Sequence, residues 1–162
     1  RTLLLTSFVN TAGATVSLLG GDNIRSFKYL PDPGAVGASH GNDIPEIRFA
    51  DILLAHAEAL NELNGPSQAA IDLINRVRTR AGVSILALVD FPSKDLLRDH
   101  ILKERGWEFF SEGHRRLDLL RMNKFISNAV ARGKNAKPHH VLFPIPQEVM
   151  DSDPLLEQNA GY

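Results

Sequence analysis

LLRDHILKERGWEFFSEGHRRLDLLR, Leu96 to Arg121, is the stretch from which the rest of the chain is read. Its apolar residues Ile101, Leu102, Phe109, Leu117 and Leu120 recur at helical spacing, which predicts a long amphipathic helix, bent or broken at Gly113, and a shorter one after it. The charges are placed unusually. Arg105, Glu108 and Glu112 share a stripe with Leu102 and Phe109, because positions three, four and seven apart lie on one helix face. A solvated helix sets its charges opposite its apolar stripe. Charges mixed into that stripe are expected to be at least half buried, and therefore paired. Arg115, Asp118 and Arg121 continue the pattern, and with Glu104 the acids and bases are close enough to neutralise one another. The expected product is a structural ion-pair network of Glu104, Arg105, Glu108, Glu112, Arg115, Asp118 and Arg121.

Working outward, the segment before this stretch reads as a helical hairpin. Asp43-Ile44-Pro45-Glu46 offers a cap, a first-turn proline and an acid for the positive end of the helix dipole. Ile47, Ala50, Leu54, Ala57 and Leu60 then form one face, and Asn64-Gly65-Pro66 stops the helix. Ser67 opens a second helix with Ala70, Ile74, Val77 and Ala81 inside, ended by Gly82. Ala57, Gly65 and Ala70 fall near the small positions of a tetratricopeptide unit. One such unit cannot bury its faces without stacked neighbours. A linker, Ser84 to Pro92, leads to Ser93 as cap of the central helix.

Residues 1–46 read differently. Leu3 to Val9 and Ile24 to Leu30 suit short strands, separated and followed by Gly20-Gly21-Asp22-Asn23, Pro31-Asp32-Pro33-Gly34, Gly37 and Gly41-Asn42. On the other side of the central stretch, a short helix over Lys124 to Arg132 ends at Gly133. A basic loop follows, and then Val141-Leu142-Phe143-Pro144-Ile145-Pro146, whose prolines confine it to an edge or an extended docking segment. Gln147 to Met150 suits one helical turn.

Composition limits the function classes. The 162 residues include 18 basic and 19 acidic ones, without the clustered basic excess of a nucleic-acid-binding surface. Cysteine is absent, which removes a disulfide framework, thiolate metal sites and a cysteine nucleophile. Arg1 and Leu3-Leu4-Leu5 are interrupted by Thr6, Ser7 and Asn10 too early for a signal peptide. Without an initiator methionine, the chain is expected to begin inside a larger protein.

Several blocks resemble one known family. Glu104-Arg105, Glu108-Phe109, Glu112-Gly113-His114-Arg115 and Asp118-Leu119 resemble the central motif of the SusD/RagB proteins. IPEIRFADILLAHAE from Ile44, Asn75-Arg76-Val77-Arg78-Thr79-Arg80-Ala81-Gly82, Pro144-Ile145-Pro146 and Gln158-Asn159-Ala160-Gly161-Tyr162 are similar to further family segments, in the family's order. Two positions depart from it: Gly106 replaces a usual basic residue and Ala160 a usual proline. Gly106 weakens the helix by about 0.5–1 kcal/mol relative to alanine.

The resemblance implies a mainly α fold: a SusD-like C-terminal domain over 1–162, with a small β element allowed. Its parts are an irregular segment at 1–43, a TPR-like helix pair at 44–82, central helices at 93–132 and an extended tail at 137–162. It further implies a nutrient-binding lipoprotein on the outward face of an outer membrane, passing glycan to a SusC-like TonB-dependent transporter. Family members carry an N-terminal half with most of the tetratricopeptide units and a lipidated cysteine, so the chain looks like the C-terminal half of such a protein. No cofactor, metal or catalysis is implied, and the membrane is reached only through that anchor. A helical interaction scaffold without sugar binding is the alternative.

Candidate ligand contacts come from the irregular segment, where binding loops usually lie. Phe27 and Tyr29, with Phe91 behind them, are candidate sugar-stacking rings, and Asp22, Asn23, Asp32, Asn42 and Asp43 candidate hydroxyl partners. Turn chemistry explains the same polar residues equally well. Trp107 and Phe110 are expected in core or hairpin packing. The row Glu104, Glu108, Glu112 could be read as hydrolase carboxylates, but one helix face filled with arginines is not a cleft between two carboxyls. None of His40, His56, His100, His114, His139 and His140 has zinc-site spacing, and adjacent histidines in a β-like segment would point to opposite faces. His114 is expected to hydrogen-bond at the helix bend.

Overall fold

The computed structural model describes residues 4–10, 12–20, 24–26, 28–29, 32, 34–36 and 41–162. They fall into two compact units, Arg1–Arg48 and Phe49–Tyr162. The first holds four short strands: β1 (Leu4–Leu5), β2 (Ser7–Val9), β3 (Thr15–Ser17) and β4 (Arg25–Ser26). Strand β1 pairs antiparallel with β4, and β2 with β3, with Phe8 opposite Val16. Between β2 and β3, the Asn10 side chain accepts from the amides of Ala12 and Ala14, at 3.0 and 2.9 Å, and Gly13 has φ 79°. An asparagine that bonds its own following backbone fixes such a turn. The expected Leu3–Val9 strand is thus two strands, and β3 lay in a stretch not assigned from the sequence.

The second unit is helical. Helix α1 (Phe49–Asn64) and helix α2 (Gln68–Ala81) form the expected hairpin. Ser67 accepts from the Ala70 amide, and Gly82 closes α2 at φ 72°. Helix α1 begins later than Pro45. The proline pushes Ile44 to extended backbone, and Ile44 and Ile47 are both exposed, so no burial favours helix there. Asp43 therefore caps nothing, and Ile47 is not on the inner face. That face is Leu53, Leu54, Ala57 and Asn61, against Ala70, Ile71, Ile74 and Val77 of α2; Ala81 is exposed.

Helix α3 (Lys94–Glu108), capped by Ser93, lays Leu97 and Ile101 onto this pair. Each fully buried aliphatic side chain here contributes about 1.5–3 kcal/mol. The linker is held to α2 by Asn75, whose amide donates to the Leu86 carbonyl at 2.9 Å while its oxygen accepts from the Leu86 amide at 2.8 Å. Phe91 follows into the core, edge-on to His100 at 5.0 Å. A buried ring cannot serve as a sugar platform, so that expectation is corrected.

The central helix ends at Glu108, before Gly113. Ser111 and Gly113 both have positive φ, 62° and 82°, and the chain resumes as helix α4 (Arg115–Arg121). This offset rotates α4 relative to a continuous helix: Asp118 and Leu119 are buried and Leu117 is 68% exposed, contrary to the apolar face read from sequence. Helix α5 (Phe125–Ala131) and helix α6 (Gln147–Ser152) follow.

Between them, Pro138–Val141 makes a 3₁₀ turn in which the His139 and His140 rings meet edge to face at 4.3 Å. They do not point to opposite faces, because the segment is not extended. The tail then closes on itself. The Gln158 side chain exchanges two hydrogen bonds with the Ile145 backbone, at 2.8 and 2.9 Å. Asn159 donates to the Phe143 carbonyl, and the Tyr162 hydroxyl to that of Leu142, both at 2.8 Å. A Cβ on Gly161 (φ 100°) would sit 2.6 Å from the His139 ring. That contact and that φ explain why glycine stands there.

Candidate functional site

Among the residues expected to touch ligand, Asp22, Asn23 and Phe27 lie outside the described residues. Tyr29 is 40% exposed, and Asn42 is exposed. Asp32 is engaged in turn formation: its carboxylate accepts from the amides of Gly41 and Gly34, each at 2.8 Å. The Gly41 bond, then the Gly34 bond, hold its pKa below the ordinary value. Trp107 and Phe110 are 59% and 45% exposed, so neither ring is the core residue expected from the sequence.

The charged stripe of α3 and α4 reaches outward. Arg105, 6% exposed, donates from Nε to Asp118 at 2.9 Å and from Nη1 to Asp51 of α1 at 2.6 Å. Arg121 binds Glu58 of α1 through both terminal nitrogens and Asp118 at 2.8 Å. Glu104 is held by Arg78 of α2 and by His100, whose Nε2 lies 2.9 Å away. Glu108 meets Arg80 at 2.5 Å. The charges are thus neutralised partly within the stretch, where Asp118 joins Arg105 and Arg121, and otherwise across helices, through Asp51, Glu58, Arg78 and Arg80. Asp51 and Glu58 were the partners missed; their spacing of seven, on one face of α1, was the available sign.

Arg115 is exposed and takes a backbone partner, donating to the Leu102 carbonyl at 2.7 Å. A Cβ on Gly106 would lie 2.8 Å from that guanidinium, so the missing side chain makes room for Arg115. The His114 ring packs tilted against that of Phe109, with centroids 4.8 Å apart and planes at 46°.

Asp51, Glu58, Glu62, Arg105 and Arg121 line an open cleft of about 320 Å³ floored by Ala55 and Ala59. Hydrogen bonds from Arg98 are the largest cause holding the Glu62 carboxyl down to about 2. Each acid in the cleft carries a basic partner. Such a cleft offers fixed polar groups for hydrogen bonding. Among the described residues, no group of His, Asp and Glu could hold a metal ion.

Comparison with known proteins gives a consistent result. The profile of the SusD family matches residues 25–162. SusD-like protein P38 of Formosa agariphila is 35% identical over 121 residues, 71% of this chain and 24% of that protein. A solved laminarin binding SusD-like protein superposes with TM-score 0.68 at 29% identity, over 99% of this chain and 34% of that one. Surface glycan-binding protein A from Bacteroides uniformis gives TM-score 0.67 at 29% identity, over 96% and 36%. The chain spans about a quarter of the length of the sequence relatives it matches.

Proposed function

The chain belongs to the SusD family, and from that premise we propose that the protein containing it binds oligosaccharide at the outward surface of an outer membrane and passes it to a SusC-like TonB-dependent transporter. One observation carries the reading: two structures that superpose on nearly the whole chain are named for glycan or laminarin binding. The protein is a binder without catalysis. Glu104 and Glu108, the acids that invite a hydrolase reading, are tied to Arg78 and Arg80 of the neighbouring helix. A glycosidase needs two carboxyls facing across a substrate cleft.

Ligand contacts are assigned to the segment 20–43, with Tyr29 and Phe27 as stacking rings and Asp22, Asn23 and Asn42 as hydroxyl partners. The remainder of the site, the tetratricopeptide half and the lipid anchor are supplied by sequence N-terminal to this chain.

Calorimetric titration of the full-length protein with laminarin, starch and other neutral glycans tests the reading. Binding to at least one is expected, and Tyr29→Ala should weaken it about tenfold without lowering Tm appreciably, since the ring is partly open. Failure to bind any glycan would instead favour the helical interaction scaffold.

A further inference from the structure

Arg116 of helix α4 meets no carboxylate among the described residues, whereas Arg105 and Arg121 of the same stretch each bind two. It is held by other means. Its guanidinium carbon lies over the Phe125 ring at 4.9 Å and over the Phe143 ring at 4.2 Å, and Nη2 donates to the Val141 carbonyl at 3.0 Å. Aromatic faces fix the plane of a guanidinium without using its N–H groups. One of the five N–H donors is taken by Val141, and the side chain is only partly buried. A flat cationic fork oriented in advance loses little conformational entropy when an acceptor binds it.

The sequence around it is of one sign. Between Asp118 and Glu148 there is no acid and there are five basic residues, Arg121, Lys124, Arg132, Lys134 and Lys137, in a chain of net charge −1. Arg121 and Lys124 are paired with acids. Arg132, Lys134 and Lys137 are exposed and meet no carboxylate among the described residues. Val141, whose carbonyl Arg116 holds, ends the 3₁₀ turn that opens after Lys137 and contains His139 and His140.

A planar guanidinium matches the paired oxygens of a carboxylate, sulfate or phosphate. Phe143, against which it lies, is 70% exposed and adds an apolar face. An acidic sugar unit offers both complements, an oxyanion and a C–H face. A phosphate-bearing lipid surface fits less well. Four exposed acids, Glu148, Asp151, Asp153 and Glu157, lie in the tail that folds back on Phe143 and Ile145, and a plane of negative charge would repel them.

We propose that Arg116, oriented by Phe125, Phe143 and the Val141 carbonyl and with Lys137 at the start of the adjoining turn, binds the carboxylate or sulfate group of an acidic glycan. The proposal rests on the glycan-binding reading above and adds acidic units to its ligand class, at a site separate from the contacts assigned to segment 20–43.

Calorimetry on the full-length protein tests it, with laminarin, sulfated laminarin and oligogalacturonate as ligands. At least one acidic ligand should bind more tightly than laminarin and lose affinity as sodium chloride is raised. Arg116→Gln should lower that affinity about tenfold and Arg116→Lys by less, with laminarin binding unchanged in both. Lys137→Gln, at an exposed side chain, should lower it about threefold and decides the matter if the Arg116 variants do not fold. A purely structural clip would instead weaken acidic and neutral ligands alike, or lower Tm alone. That result, or acidic glycans binding no better than laminarin, removes the site and leaves the family reading standing. Arg116-dependent binding to phosphatidylglycerol vesicles without binding to either acidic glycan would assign the oxyanion to lipid and overturn the proposal. If no glycan binds, neutral or acidic, both readings fail.

Discussion

Arg105 and Asp118 show what a buried charge requires. Both side chains are nearly inaccessible, at 6% and 3%, and each has a second partner, Asp51 for Arg105 and Arg121 for Asp118. Removing one member of such a group leaves an uncompensated charge in a poorly solvated place, costing about 3–5 kcal/mol. We expect Asp118→Ala to lose stability in that range by urea denaturation, while Arg80→Ala, whose side chain is 59% exposed, should change it by about 1 kcal/mol or less. Equal effects of the two would mean that burial does not govern these pairs. Burial at this scale was legible in the sequence, because charges at Arg105 and Asp118 interrupt an apolar stripe. Their pairing with each other and with Arg121 was legible as well, but Asp51 was not, since a one-dimensional pattern does not say which helix packs on which. Gly106 illustrates the same limit: its reason is a guanidinium nine residues further along.

At the scale of elements, capping and turn residues were the most legible features. Ser67, Gly82 and Ser93 act locally, so the sequence contains all that decides them. Helix starts that depend on burial, such as Phe49 for α1, were less so. The tail offers a test through its histidines. His139 sits between His140, Lys137, Tyr162 and the Gly161 backbone, and desolvation, followed by repulsion from His140 and Lys137, holds its pKa below the ordinary 6.5. A histidine with a lowered folded pKa binds fewer protons folded than unfolded, so its contribution is complete above about pH 6.5 and is lost as pH falls toward the folded value. Hydrogen-exchange protection factors for residues 142–162 should therefore fall between pH 7.5 and 5.0, and His139→Phe should flatten that change. An unchanged slope in the variant would remove His139 as the cause.

For the molecule as a whole, the mainly helical architecture and the family were legible in the sequence, because both rest on ordered blocks of helix and tail. The depth of the rings was not: Phe91, expected behind the stacking rings, is buried, and Trp107, expected in packing, is exposed, because a ring's depth depends on neighbours distant in sequence. Glu62 ties α1 to α3 through Lys94 and Arg98. Its carboxyl pKa is lowered from 4.5 to about 2, so its contribution is complete above pH 4.5 and is lost as pH falls through 2. Glu62→Gln should make the acid unfolding curve of the helical unit shallower over that interval, by circular dichroism. Identical curves would show that the pair does not act on global stability.

The distances in sequence that these contacts bridge also set an order in time. Gln158 reaches Ile145 across 13 positions, whereas Arg121 reaches Glu58 across 63. Closing the longer loop costs about 1.4 kcal/mol more in chain entropy. The C-terminal clasp can therefore form quickly and reversibly as a local event. The bond between α4 and α1 closes only once α2 and α3, which lie between them in sequence, have packed back onto α1.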